Sequence, residues 1–97
     1  METLDVSWDA STVTLQAGKS YDALCIPRTL PDKAYYPGGE VRVTDSSVLG
    51  ITKVIRKYTS RKGQTGDLYT VQALKVGESR LIANVTGKTS SVLVKVV

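Results

Sequence analysis

Apolar side chains recur at every second position over several short runs of this chain. Leu81, Ala83 and Val85 share one parity, and so do Val92, Val94 and Val96. Tyr69, Val71 and Ala73 repeat the pattern, with Thr70 and Gln72 between them. Successive side chains of a strand point to opposite faces, so each set predicts one buried face of a sheet. No window of a dozen residues keeps an apolar stripe at i, i+3, i+4 and i+7 through its breakers, which argues against a long amphipathic helix. Turn residues punctuate the runs: Gly18-Lys19, a long interruption over 27–39, Asp45-Ser46-Ser47, Gly63 to Gly66, Gly77 and Gly87-Lys88. Between them the pattern predicts seven strands, over 12–15, 20–26, 40–44, 48–58, 68–74, 80–85 and 91–97.

The expected fold is all-β: a seven-stranded immunoglobulin-like β-sandwich with a projecting basic hairpin. Thirteen Val, eleven Thr and four Ile supply the β-branched side chains that suit a pleated, half-buried surface. Three places depart from simple alternation. In the 20–26 run, Tyr21, Ala23 and Cys25 oppose Asp22, Leu24 and Ile26, and both sets are largely apolar; the 27–39 loop is expected to fold back over the outer face. Val48 and Ile51 share a face only if the strand bulges at Gly50. The 48–58 run is long for so small a domain, so its second half is expected to project with the following strand as a twisted ribbon. Tyr58 and Tyr69 would then be cross-strand neighbours near its base.

Ninety-seven residues make one domain, 1–97, in which 1–11 form an N-terminal strand or arm. The formal charge of +4 is local. Lys53, Arg56, Lys57, Arg61 and Lys62 fall in ten residues that contain no acid, while eight basic and nine acidic residues occupy the rest of the chain. Such a patch attracts phosphates, sulfated sugars or an acidic protein surface. It equally serves as a solvated hairpin that resists edge-to-edge strand pairing.

The same composition excludes much chemistry. With no His and one Cys there is no Ser-His-Asp or Cys-His machinery, no internal disulfide and no thiolate cage for zinc. No carboxylate pair stands out as an acid–base couple, and no D-x-D-x-D spacing is present, so no catalytic, cofactor-binding or metal-binding residue is assigned. No apolar run approaches the ~20 residues of a membrane helix. Met1-Glu2-Thr3-Leu4-Asp5 lacks the basic and apolar regions of a signal peptide. Cys25 reads as a small buried hydrophobe. Tyr35 and Tyr36, before Pro37-Gly38-Gly39, read either as contact aromatics for a sugar or a protein, or as caps over the open end of the sandwich.

The order of these motifs resembles the bacterial immunoglobulin-like domains, group 2, from about Thr12 to Val97. Thr12-Val13-Thr14-Leu15-Gln16-Ala17-Gly18-Lys19-Ser20-Tyr21 resembles their opening strand pair, and Asp45-Ser46-Ser47-Val48-Leu49-Gly50-Ile51 their serine-containing segment. Tyr69-Thr70-Val71-Gln72-Ala73-Leu74-Lys75-Val76-Gly77 is similar to the family's G-x-V-T-A-L-x-x-G signature. Leu81-Ile82-Ala83-Asn84, with Gly87-Lys88 and the valines at 92, 94 and 96, is similar to the closing hairpin. Where the family commonly has a Trp after the long loop, this chain reads Val41-Arg42-Val43-Thr44. The 27–39 loop and the 53–67 hairpin look longer than usual, and such additions are where a sandwich acquires individuality.

The resemblance implies a scaffold that occurs in bacterial surface proteins, adhesins and phage virion proteins. The function expected from it is a non-catalytic structural or interaction module. The first reading is a small phage virion protein that folds in the host cytoplasm and decorates a capsid or tail, docking on a protein surface of that larger assembly. The alternative is a spacer or adhesion repeat of a bacterial cell-surface adhesin, beside neighbouring immunoglobulin-like repeats. A nucleic-acid-binding module rests only on the basic hairpin and comes last; no membrane insertion is expected. The partner-binding candidates are Lys53, Arg56, Lys57, Arg61, Lys62, Tyr35 and Tyr36, with surface polysaccharide among the candidate ligands and no cofactor.

Overall fold

Nine strands build two packed sheets in the computed structural model, which describes residues 3–37 and 39–97. Met1 and Glu2, in the expected N-terminal arm, and Gly38, in the expected 27–39 loop, lie outside the described residues. The strands are β1 (Thr3–Trp8), β2 (Thr12–Leu15), β3 (Ser20–Leu30), β4 (Ala34–Tyr35), β5 (Glu40–Val43), β6 (Leu49–Thr59), β7 (Thr65–Ala73), β8 (Gly77–Val85) and β9 (Lys88–Val96). One sheet runs β1-β3-β7-β6, with β4 added beside β3, and the other runs β2-β9-β8-β5. This is the strand order of a constant-type immunoglobulin sandwich whose first strand is split between the sheets. β1 pairs antiparallel with β3, while β2 crosses over and pairs parallel with β9.

The expected class holds, and the expected count of seven is corrected to nine among the described residues. β1 is the strand form of the expected N-terminal segment; its Leu4, Val6 and Trp8 pack against the core. The core contains the three sets read from parity. Leu81, Ala83, Val85, Val92, Val94, Val96, Tyr69, Val71 and Ala73 are all buried. At ~25 cal/mol per Å² of apolar area removed from water, these inward faces supply the main drive for the two layers to close.

β3 explains both the second extra strand and the end of a ladder. It pairs with β7 from Ser20↔Gln72 to Cys25↔Asp67 and no further. Two residues on stands Pro27, whose carbonyl accepts the N–H of Tyr36 at 3.0 Å. A residue's N and C=O point to the same side of its strand, so the position lacking an N–H faces the side that β7 leaves. β4 fills the vacated edge through Arg28↔Tyr35 and Thr29↔Ala34. The expected 27–39 loop is therefore corrected: its first four residues extend β3, and two more return as β4.

The outer face of β3 is covered mainly by the β6–β7 turn, with Lys33 and Tyr35 of the expected 27–39 segment beside Ile26. Leu24 and Ile26 are 3% and 6% exposed although they point away from the core. They line a groove with Ser60, Arg61, Lys62 and Gln64 of the β6–β7 turn. The hairpin thus curls back over β3 instead of standing clear of the body. Gly66 permits the bend: a Cβ there would run into the carbonyl of Cys25 and lie 3.2 Å from the Cα of Ile26.

Two register shifts shape β6. Ladder pairs Leu49↔Ala73, Gly50↔Gln72 and Ile51↔Val71 are regular, so the bulge expected at Gly50 falls instead at Thr52, between Ile51 and Lys53. A second shift lies between Ile55↔Leu68 and Tyr58↔Gly66, where Arg56 and Lys57 face the single residue Asp67. In this register Tyr69 sits opposite Val54, and Tyr58 lies four positions nearer the tip, which corrects the expected Tyr58–Tyr69 pair.

Candidate functional site

The second bulge has a chemical consequence. Asp67 has the parity of Tyr69 and Val71 and therefore points inward, where it is 0% exposed. An isolated buried carboxylate costs several kcal/mol, so it needs a cation and hydrogen bonds. The extra residue in β6 supplies them. A bulge re-aims side chains, and here it turns the Arg56 guanidinium onto Oδ2 of Asp67 at 3.0 Å. The Lys57 N–H, on a backbone at φ 54°, donates to Oδ1 at 3.3 Å. The hydroxyl of Tyr35, delivered by β4, donates to the same oxygen.

Arg56 also donates to the carbonyl of Gly39 at 2.8 Å and to the Tyr69 hydroxyl at 3.2 Å. Its guanidinium carbon lies 5.9 Å from the Tyr69 ring centre, within cation–π range. Burial, then the hydrogen bond given to Asp67 and the charge of that carboxylate, push the Tyr35 phenol up to about 12. Cys25 lies directly across the ladder from Asp67. Burial, with the Asp67 charge added, pushes its thiol up to about 12 against a smaller lowering by Arg56. A thiol so hard to ionise is a poor nucleophile, in accord with its reading as a core hydrophobe. The cluster is internally satisfied: none of its buried side-chain nitrogen or oxygen atoms lacks a hydrogen-bond partner.

The five basic candidates do not form one patch. Arg56, still half exposed, ties its guanidinium to Asp67. Lys53 pairs with Thr70, on the outer face of the sheet. Arg61 and Lys62 sit at the hairpin tip in the groove of about 440 Å³ shared with Trp8, Asp9, Leu24, Ile26 and Arg28. Lys57 lies on the other side of the tip, in a groove of about 380 Å³ with Arg28 and Lys33. Of the two tyrosines, Tyr35 lines this second groove while bonding Asp67 beneath it. Tyr36 packs on the cluster that contains Ala83 and Val85, with its hydroxyl 3.4 Å from Oγ1 of Thr86. Sequence reasoning missed Arg28, Lys33 and the role of Asp67, because each meets its partners only through long-range pairing. The one local signal was an aspartate sharing the parity of a buried tyrosine and valine.

Among the described residues, no group of three or more His, Cys, Asp or Glu is placed to hold a metal ion, and no helix is long and apolar enough to cross a membrane.

No family model matches the sequence, and no curated protein matches it. Solved structures do match the fold. The whole chain superposes on the S-layer protein SbsC, domains 5-6, with a TM-score of 0.77 at 18% identity, and covers 45% of that chain. It likewise superposes over its full length on the S-layer protein rSbsC(31-844), with a TM-score of 0.78 at 17% identity, covering 13% of that chain. A third match, SbsC domains 4 and 5, gives a TM-score of 0.71 at 19% identity and 54% coverage. The chain thus spans about half the length of the two-domain structures and a smaller share of the longer one. At these identities the likeness is one of fold: the sandwich of this chain is similar to a single domain of these multi-domain proteins.

Proposed function

We propose that this chain is a non-catalytic structural module of a cell-surface assembly, one sandwich in an end-to-end row of similar domains. The observation that carries this reading is the superposition of the whole chain on S-layer domains whose solved forms contain two or more domains in sequence. The strand registers support it. Thr3 pairs with Leu30 at one pole of the sandwich, whereas the Val97 carbonyl accepts from Ala17 at the opposite pole, beside the Gly18–Ala73 contact. Described ends at opposite poles suit a rod in which each module, 44 Å in its longest dimension, adds to reach.

The pole around Val97 carries the apolar surface that such a junction needs. Leu74, Val76 and Val97 are 50%, 69% and 62% exposed, and all three belong to this end of the molecule. The occupant proposed for that surface is the adjoining sandwich of the row. The reading replaces the virion function as the first choice, since the neighbours described above are surface-layer domains. It keeps the group 2 immunoglobulin-like resemblance as the family assignment we propose.

The test is a longer fragment of the natural chain that carries this module and its neighbour. Small-angle scattering should give an extended particle, with the amide of Val76 better protected from hydrogen exchange than in the single module. A neighbour with an unrelated fold, or a compact particle in which that amide stays unprotected, would overturn the row. Co-purification of the module with a virus particle would restore the virion reading.

A further inference from the structure

We infer that the groove between the β3–β4 turn and the β6–β7 hairpin is a binding site for an anionic sugar, one bearing a carboxylate, phosphate or sulfate. The site does not depend on the row of domains proposed above. Arg28, Lys33 and Lys57 come from three separate segments and line the same depression, together with Ile26, Tyr35, Gly63, Gln64 and Thr65. Among the described residues no acid lines it. Arg28 shares its charge with Asp5, whose Oδ2 lies 3.4 Å from its Nε. Asp67, beneath the Tyr35 hydroxyl, is already paired with Arg56. Lys33 and Lys57 take no part in any ion pair among the described residues.

A second, independent observation marks the same place. Among the described residues three non-glycine residues have positive φ, and two of them are Lys33, at 58°, and Lys57, at 54°. A left-handed backbone is uncommon for lysine, and such conformations gather where a ligand is held. Here both of them line one groove, at a β4 turn and a β6 bulge brought together only by the fold.

The lining selects among anions. The Tyr35 ring and Ile26 offer an apolar wall against which a sugar face can pack, and Gln64 and Thr65 offer hydrogen-bonding groups for hydroxyls. A volume of about 380 Å³ suits one or two sugar residues. A nucleic-acid strand instead needs a longer basic track; Lys53 lies outside this groove, and Arg61 and Lys62 line the adjoining one, which shares Ile26, Arg28 and Gln64 with it.

The experiment is a titration of the folded protein with a sulfated disaccharide, its uncharged parent, inorganic phosphate and a short oligothymidylate, followed by amide chemical shifts. The expected result is saturable binding of the sulfated disaccharide, at about 1 mM or tighter. Shifts should concentrate at Lys33, Lys57, Gln64 and Thr65. The double variant Lys33→Asn, Lys57→Asn keeps residues that tolerate a left-handed backbone and should weaken binding about tenfold or more. Arg61→Gln with Lys62→Gln, in the adjoining groove, should weaken it less than the Lys33 and Lys57 double variant does. Binding equally strong to the uncharged sugar or to phosphate alone would overturn the proposal, as would shifts centred elsewhere. Tighter binding of oligothymidylate would replace it with a nucleic-acid surface. The wild-type shift map decides the matter even if the double variant folds poorly.

Discussion

The guanidinium of Arg56 lies 3.0 Å from the carboxylate of Asp67, and the two side chains differ sharply in exposure, at 54% and 1%. The pair is therefore asymmetric. Removing Arg56 strands a buried anion, whereas removing Asp67 releases a cation that water can reach.

This asymmetry predicts the order of two variants. Breaking a fully buried pair costs ~3–5 kcal/mol, and the exposure of Arg56 lets solvent take part of that field. Arg56→Met is expected to cost ~2 kcal/mol, and Asp67→Asn less, because an amide oxygen still accepts from Tyr35 and Lys57. Urea midpoints of both variants check this. An Asp67→Asn loss larger than that of Arg56→Met would show that the carboxylate does not depend on Arg56.

Alkaline pH should destabilise the domain through Cys25 and Tyr35. Both groups are held neutral in the fold, the thiol up to about 12 from 9.0 and the phenol up to about 12 from 10.0. Above pH 9 the unfolded chain loses protons that the folded chain keeps, so stability is complete below the unfolded pKa values and falls as pH rises toward 12. Cys25 alone contributes on the order of 4 kcal/mol to that loss. Denaturation midpoints between pH 8 and 11 should fall steadily in the wild type and less in Cys25→Ala. Equal slopes in the two proteins would remove the thiol from the account.

Gly66 and Gly63 should respond very differently to alanine. A Cβ at Gly66 meets main chain, 3.0 Å from the carbonyl carbon of Cys25, and neither strand can yield without breaking the ladder. Gly66→Ala should cost ~3 kcal/mol or more, or prevent folding. Gly63 has φ 82° and open space around it, so Gly63→Ala should cost only ~1 kcal/mol through backbone strain. Thermal melts of both variants test how tightly the hairpin curls onto β3.

Trp8 joins the sheets. Its Nε1–H donates to the carbonyl of Ser90 at 3.0 Å, and its ring lies 6.1 Å from that of Tyr69 at a tilt of 58°. Trp8→Phe keeps most of the packing and leaves that carbonyl without its donor, for a loss of ~1–2 kcal/mol. Trp8→Ala should cost ~3–5 kcal/mol. Comparable losses in the two variants would mean that the hydrogen bond, and not the ring, holds the sheets together.

The alternating sequence by itself determined the layers of this protein. The parity of Leu81, Ala83 and Val85, and of Val92, Val94 and Val96, decides which face is buried, because side-chain direction in a strand is a local property with a period of two. Glycine and Asp-Ser turns set most strand ends for the same local reason. Tertiary structure alone decided what covers Leu24 and Ile26, where β6 slips register, and which charges meet. Tyr35 and Asp67 are 32 residues apart, and Arg28 and Lys57 come from different strands. An extra residue in a bulge reverses the faces of what lies beyond it, so the one at Thr52 brought Arg56 to the face of Asp67, and the second shift, at Arg56 and Lys57, left Lys57 at a groove. That choice is made by the partner strand, which no local pattern contains.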